Sequence, residues 1–340
     1  MKHIFIAIGQ THLNNFETLL NDNIASIGER ILVVDNTIIY NEALWPTVIK
    51  ATISFNNTAS SSVQQLVSIS NKAKAYATII KSLKKYKNES TVIYLAYIED
   101  ILSNYMFFSF SDKAKIVIVE DGTLNYYNHS LANVSVLKFR LKQTIAKLRG
   151  IPFKKYVGHS SGAGYAHVIA QYLTFPDQAF VAEKVKQFPV ETTSVDNTVD
   201  ELYIIGQEGF CNLIGQDVFM TALKDFFEML KKQPFYNTIT TIHYKPHRNG
   251  VRLTQEFLSG YFPGKKVRLV TTSKTAEDLF FEELPCSFVT SFNSSTLINI
   301  YARLSKEDRA KIEFSVYPIQ DNELIHVFKK LNFNFIKPLN

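Results

Sequence analysis

Glu120 and Asp121 stand side by side, followed by Gly122, at the end of the apolar β-branched run 116–119. A carboxylate held at a strand end, partly out of water, can take the proton from an alcohol. A second cluster is Lys245, His247 and Arg248. Two cations and an imidazole suit a phosphate group. A third is the pair Ser294 and Ser295 before an apolar helical run. Adjacent hydroxyls there add donors where free backbone N–H groups and the helix dipole already favour an anion. Together the three clusters are equipment for moving a group from a nucleotide leaving group to a hydroxyl. Each has a plainer reading: an acidic loop, a hydrogen-bonded loop histidine, and a serine N-cap.

These side chains need elements to position them. Four apolar residues without alternation, 116–119, predict a strand covered on both faces. Gly122 permits a tight turn at its carboxyl edge, the edge where open α/β sheets bind ligands. Upstream, 2–8 reads as a strand, 10–14 as a polar turn and 16–20 as a short helix. There is no GxGxxG after that first strand, so a dinucleotide is not indicated. Further strands are expected at 30–35 and 90–96, and helices at 61–86, 98–108 and 131–149. Strands alternating with helices predict a parallel sheet.

Residues 187–199 are rich in Thr, Ser, Asp and Asn and lack an apolar period, which predicts a linker. A fresh strand follows at 201–206, then the polar turn Gln207-Glu208-Gly209 and a helix over 216–231. Strands are expected at 238–244, 265–270 and 287–290, a short helix from Ala276 and another from Leu297. The second half restarts like the first. The expected fold is α/β, with two Rossmann-like domains, 1–190 and 200–320, whose parallel sheets face a central cleft. A closing segment, 321–340, carries a helix at 321–331 that is expected to pack back toward the first domain.

The chain has 340 residues, suited to two such domains, with 46% hydrophobic and 20% charged residues. Its only cysteines, Cys211 and Cys286, give no CxxC spacing and no disulfide framework, which fits a reducing compartment. The apolar run at the N-terminus is short and no stretch has the length of a membrane span, so a cytoplasmic protein is expected. The net charge of +6 suits an anionic ligand or a membrane surface. Lys138, Arg140, Lys142, Lys147 and Arg149 gather on one helical stretch that can meet anionic lipid at the inner membrane, or be a solvated face. Nucleic acid is not indicated, since no zinc spacing or aromatic RNA-binding motif appears.

Gly158-His159-Ser160-Ser161-Gly162 fits G-x-S-x-G, the form of a nucleophile elbow, which would make a serine hydrolase of Ser160. The segment before it is basic and a poor central strand. The alternative is a glycine-rich turn whose serine caps a helix over 165–172.

Glu120-Asp121-Gly122, then Lys245-Pro246-His247, then Ser294-Ser295 resemble, in that order, the motifs of bacterial sialyltransferases, including the lipooligosaccharide and capsular polysialyltransferase families. Residues 10–13 are similar to their first donor-side loop, which brings in Thr11. The resemblance implies a GT-B fold, CMP-sialic acid as donor, inversion of configuration, and no metal or cofactor. It implies Glu120 as base toward the acceptor hydroxyl, with Asp121 shaping the turn or exchanging roles with it. His247 would serve the leaving phosphate, and Ser294 and Ser295 would bind it beside Lys245. Glu277 would hold the ribose, and Gln207 would lie on the donor side. One departure is Arg248, where the family has a proline after the histidine; here Pro246 precedes it. The implied acceptor is a glycan, with terminal galactose the first expectation and sialic acid the second. A nucleotide-binding module without activity is a further alternative.

Overall fold

In the computed structural model, which describes residues 1–22, 28–52, 62–247, 249–319 and 324–337, the run 116–119 lies in a strand buried along its apolar length. The chain divides into two units, Met1–Pro189 and Val190–Asn340. In the first, β1 (Lys2–Ala7), β2 (Glu29–Asp35), β3 (Thr47–Ala51), β4 (Thr91–Leu95), β5 (Lys115–Val119), β6 (Val168–Leu173) and β7 (Val185–Gln187) form one sheet. Its order is β3-β2-β1-β4-β5-β6-β7, and every pairing is parallel. β4 is buried at each of its positions, as a strand covered on both faces requires.

In the second unit, β8 (Thr198–Ile205), β9 (Thr241–Lys245), β10 (Lys266–Leu269), β11 (Cys286–Phe292), β12 (Glu313–Tyr317) and β13 (Asn334–Phe335) form a parallel sheet ordered β10-β9-β8-β11-β12-β13. Counted from β8, this is the order 3-2-1-4-5-6 of β1 to β6. Each sheet reverses direction of growth beside its first strand, between β1 and β4 and between β8 and β11. The carboxyl ends at such a reversal form a ligand crevice. The helix Gln216–Lys231 covers the second sheet with Phe219, Leu223, Phe226, Phe227 and Leu230, an i, i+4, i+7, i+8, i+11 stripe. Each such side chain contributes about 1.5–3 kcal/mol by burial.

Several elements depart from expectation. The polar turn at 10–14 is the first turn of a helix, Gln10–Asn21, in which Gln10 Nε2 donates to Asn14 Oδ1 at 2.9 Å. The helix expected over 165–172 is instead β6, because pairing with β5 claims its backbone. The linker is shorter than 187–199: β7 ends at Gln187, β8 begins at Thr198, and between them Thr193 N–H donates to the Arg303 carbonyl at 2.7 Å. The last helix is Leu324–Lys330. Phe328 packs against Phe333, and β13 then joins β12. The segment is part of the second unit.

Candidate active-site residues

The two adjacent carboxylates have different surroundings. Glu120 is fixed through its backbone, its N–H donating to the Tyr172 carbonyl at 3.1 Å and its carbonyl accepting from Asn15 Nδ2 at 3.0 Å. Its carboxylate accepts from the Thr174 N–H at 2.8 Å, from the Thr174 hydroxyl and from the Tyr126 hydroxyl. Burial pushes the Glu120 carboxyl up, and the bonds from Thr174 and Tyr126 offset only part of that. Glu120 thus braces the end of β5 against the end of β6.

Asp121 is a third exposed, and its Oδ2 lies 3.3 Å from His12 Nε2. It lines a cavity of about 570 Å³ within the first unit, with Tyr97, Glu99, Asp100, Lys72 and His129. His12 comes from the helix after β1, is buried, and stands edge-on to Tyr97 at 5.7 Å. Its Nδ1 has no partner among the described residues. Gly122 takes φ +53°, the left-handed turn that the sequence predicts there.

Ser160 sits beside the same cavity but is not a nucleophile elbow. It is fully buried, and no helix follows it. Its Oγ lies 2.9 Å from both His129 Nδ1 and the Tyr156 hydroxyl. The same His129 nitrogen is 3.1 Å from Glu99 Oε1. A relay needs the two ring nitrogens to face nucleophile and orienting carboxylate separately, and here one nitrogen serves both. The hydrolase reading is therefore withdrawn. The cluster serves Glu99: burial would raise its carboxyl, but bonds from His129, Ser160 and Tyr156 hold it down at about 2.

In the second unit, β8, β9 and β11 bring the other residues to one carboxyl edge. Gln207 follows β8 and Ser294 follows β11, and Gln207 Nε2 donates to Ser294 Oγ at 2.8 Å across the reversal point. Ser294 is buried and caps the helix Ser295–Arg303, accepting from Thr296 N–H at 3.2 Å. With its oxygen accepting twice, its own O–H is left to donate to an anion. Ser295 occupies the first turn. Lys245 ends β9 and donates from Nζ to the Thr272 carbonyl at 2.6 Å; burial pushes its ammonium down. Glu277 lies in the first turn of the helix Ala276–Glu282 and accepts from Asn299 Nδ2 at 2.9 Å through one oxygen.

His247 Nδ1 lies 3.1 Å from both the N–H and the carbonyl of Asn249. The amide serves the neutral ring and the carbonyl the protonated one, so both proton states have a partner. The sequence reading missed what holds this loop. Glu208 is fully buried, accepting from the Tyr244 hydroxyl at 2.6 Å and from the His247 N–H at 2.6 Å. Burial pushes its carboxyl up, against the bonds from Tyr244 and His247. A Cβ at Gly206 would meet the Glu208 carboxylate at 2.7 Å, and one at Gly250 (φ +107°) its carbonyl at 2.0 Å. A glutamate between Gly206 and Gly209 was the available signal. Arg248 lies outside the described residues. Thr11 is exposed on the first turn of the helix Gln10–Asn21, in the first unit, whereas Gln207, Lys245, His247, Glu277, Ser294 and Ser295 belong to the second.

A family model described as alpha-2,8-polysialyltransferase matches residues 13–306. No curated protein matches by sequence. Among solved structures, the 2,6-sialyltransferase of Photobacterium sp. JT-ISH-224, in complex with CMP and lactose, is similar at 12% identity over 99% of this chain and 78% of that one, with a TM-score of 0.51. Arabidopsis thaliana UGT89C1 with UDP-L-rhamnose is similar at 9% identity over 98% and 84%, with a TM-score of 0.53. A putative UDP-N-acetylglucosamine 2-epimerase from Listeria monocytogenes gives 8% identity over 96% and 82%, with a TM-score of 0.52. At these identities the likeness is one of fold, two parallel-sheet α/β domains of the GT-B kind.

Proposed function

This chain belongs to the alpha-2,8-polysialyltransferase family, and from that premise we propose that it moves sialic acid from CMP-sialic acid to a hydroxyl of a glycan, with inversion and without a catalytic metal. The observation that carries the donor half is the gathering of Lys245, His247, Gln207 and Ser294 at the reversal point of the second sheet. The acceptor half rests on Asp121 and its cavity. Asp121, rather than the fully engaged Glu120, is the group free to meet an acceptor hydroxyl.

In this reaction the acceptor oxygen attacks the anomeric carbon, its proton passes to Asp121, and the bond from that carbon to the phosphate oxygen breaks. The carbon bears a carboxylate and no hydrogen, so its transition state is oxocarbenium-like and the leaving phosphate gathers negative charge. Stabilising that charge is the largest demand. His247 meets it through Nε2, with the Lys245 ammonium and the hydroxyls of Ser294 and Ser295. The Glu277 oxygen that Asn299 does not bind suits a ribose hydroxyl.

Two acceptors fit. Terminal galactose is the simpler. A chain ending in sialic acid is favoured by the family and by Lys72 and Lys142, which reach the Asp121 cavity with ammonium donors still to spare beyond Asp100 and the Glu99 carbonyl. The test is release of nucleotide with CMP-sialic acid against UDP-, GDP- and TDP-sugars, each with galactose-ended and sialic acid-ended glycans. Transfer from CMP-sialic acid alone is expected, unaffected by a chelator. Transfer from another donor would overturn the reading, and CMP binding without transfer to any acceptor would make the chain a binding module.

The cytoplasmic face of a membrane suits such an enzyme. No helix of the described residues is long and apolar enough to cross a membrane. The basic helix Val136–Leu148 leaves Val136, Leu137 and Leu148 exposed beside Lys138, Arg140 and Lys147, which supports peripheral contact with anionic lipid.

A further inference from the structure

Glu201 on β8, His243 on β9 and Cys286 on β11 sit on three neighbouring strands of the second sheet. One ligand atom from each lies within 4.8 Å of the others, and His243 Nε2 is 3.0 Å from Glu201 Oε2. Three atoms so spaced leave a point no more than about 2.5 Å from all of them, against the roughly 2.0–2.3 Å of zinc bonds to nitrogen, oxygen and sulfur. A tetrahedral centre with such bonds sets its ligand atoms roughly 3.3–3.6 Å apart, so up to about an ångström of side-chain movement closes a coordination sphere. His243 and Cys286 are buried, and Glu201 keeps a path to solvent.

We propose that Glu201, His243 and Cys286 bind one zinc ion, with a water in the fourth position. A thiolate, an imidazole and a carboxylate together select zinc over magnesium or calcium, which prefer oxygen alone. The thiolate and carboxylate charges neutralise the ion, and Cys286 releases its proton to solvent on binding. The site lies inside the sheet: Glu201 is well short of Gly206, where the carboxyl edge begins, and Cys286 is the first residue of β11. Its role is to clamp three strands, so it is separate from the transfer reaction. Metal held by the folded chain and not by the unfolded one adds to stability.

The test uses the full chain without a polyhistidine tag. After dialysis with zinc and removal of free metal, elemental analysis is expected to give about one zinc per chain, and far less in His243→Gln and Cys286→Ser. Cobalt(II) in place of zinc is expected to show a thiolate-to-metal charge-transfer band that survives Cys211→Ser and is lost in Cys286→Ser. A chelator is expected to lower Tm while leaving transfer at low temperature unchanged. Zinc content in the wild type no higher than in His243→Gln, or a cobalt spectrum without the thiolate band, overturns the proposal. If the His243 and Cys286 variants fail to fold, the cobalt spectrum of Cys211→Ser, whose remaining thiol is Cys286, decides it.

Discussion

His12 Nε2 lies 3.3 Å from Asp121 Oδ2, joining the helix after β1 to the turn after β5 across the end of β4. The imidazole fixes the carboxylate that we propose as the base toward the acceptor. Asp121→Asn is expected to lower kcat by about 10²–10⁴-fold, the usual worth of a general base, with Tm little changed. His12→Leu is expected to cost about tenfold or more in kcat through misplacement of Asp121, with KM for donor unchanged. His12→Gln, whose amide can still donate to Asp121, should recover part of it. Full activity in Asp121→Asn would remove Asp121 from the mechanism.

Glu120→Gln is expected to act on stability first. Its carboxylate accepts from three donors, and an amide nitrogen there faces donors with a donor. A loss of about 1–3 kcal/mol, read by chemical denaturation, is expected from such mispaired buried groups. Turnover per folded molecule should fall less than in Asp121→Asn. The opposite ranking would restore Glu120 as the base.

Glu208 is the lever on His247. Glu208→Ala frees the Tyr244 hydroxyl and the His247 N–H together. We expect kcat to fall by about 10²-fold, the cost of a displaced catalytic group, and Gly250→Ala to give a similar loss by steric displacement. Unchanged kinetics in both would show that the loop needs no such brace.

Acid stability should report Glu99. Its folded carboxyl is held near 2 against an ordinary 4.5. A lowered carboxyl contributes stability above the unfolded value and loses it as pH falls through the folded one. The gap in stability between wild type and Glu99→Gln should thus be full above about pH 5 and vanish by about pH 2, with a plateau on the order of 1–2 kcal/mol after solvent screening. A gap that stays constant with pH would assign the effect to packing.

Vesicle flotation tests the basic helix. Binding to anionic vesicles is expected at low salt and should be lost near molar salt, where the screening length is about 3 Å. Salt-insensitive binding would contradict an electrostatic contact.

The alternation of strands and helices was legible because the first sheet is built of buried β-branched runs such as 116–119 and β4, and β8 of the second ends in the buried apolar run 202–205. Two strands, β12 and β13, have no counterpart among the expected elements; β12 is buried beyond Glu313, but it is short and Ser315 interrupts its apolar residues. The other strands that escaped are of two kinds. β3 and β7 are only partly buried, so no apolar pattern marks them. β6 carries Ala and Gln, which also suit a helix, and only its pairing with β5 decides. Among the candidate site residues, Gln207, Lys245, His247 and Ser294 stood out by type, and they lie at or just after strand ends. Glu208 did not, because a glutamate in a polar turn reads as solvated until Tyr244 is seen to cover it. Nor did His12, whose partner lies over a hundred positions away.

Gly206 and Gly250 hold the chain against Glu208 without a side chain's width to spare, and at Gly209 a side chain would press on the His247 ring at 3.1 Å. Glu208 and the His247 backbone, held this closely, have few shapes to choose from before any ligand arrives. Under the proposed function, little disorder is then surrendered on donor capture, and selectivity follows from the fit of a ready-made edge rather than from a segment that folds around its guest.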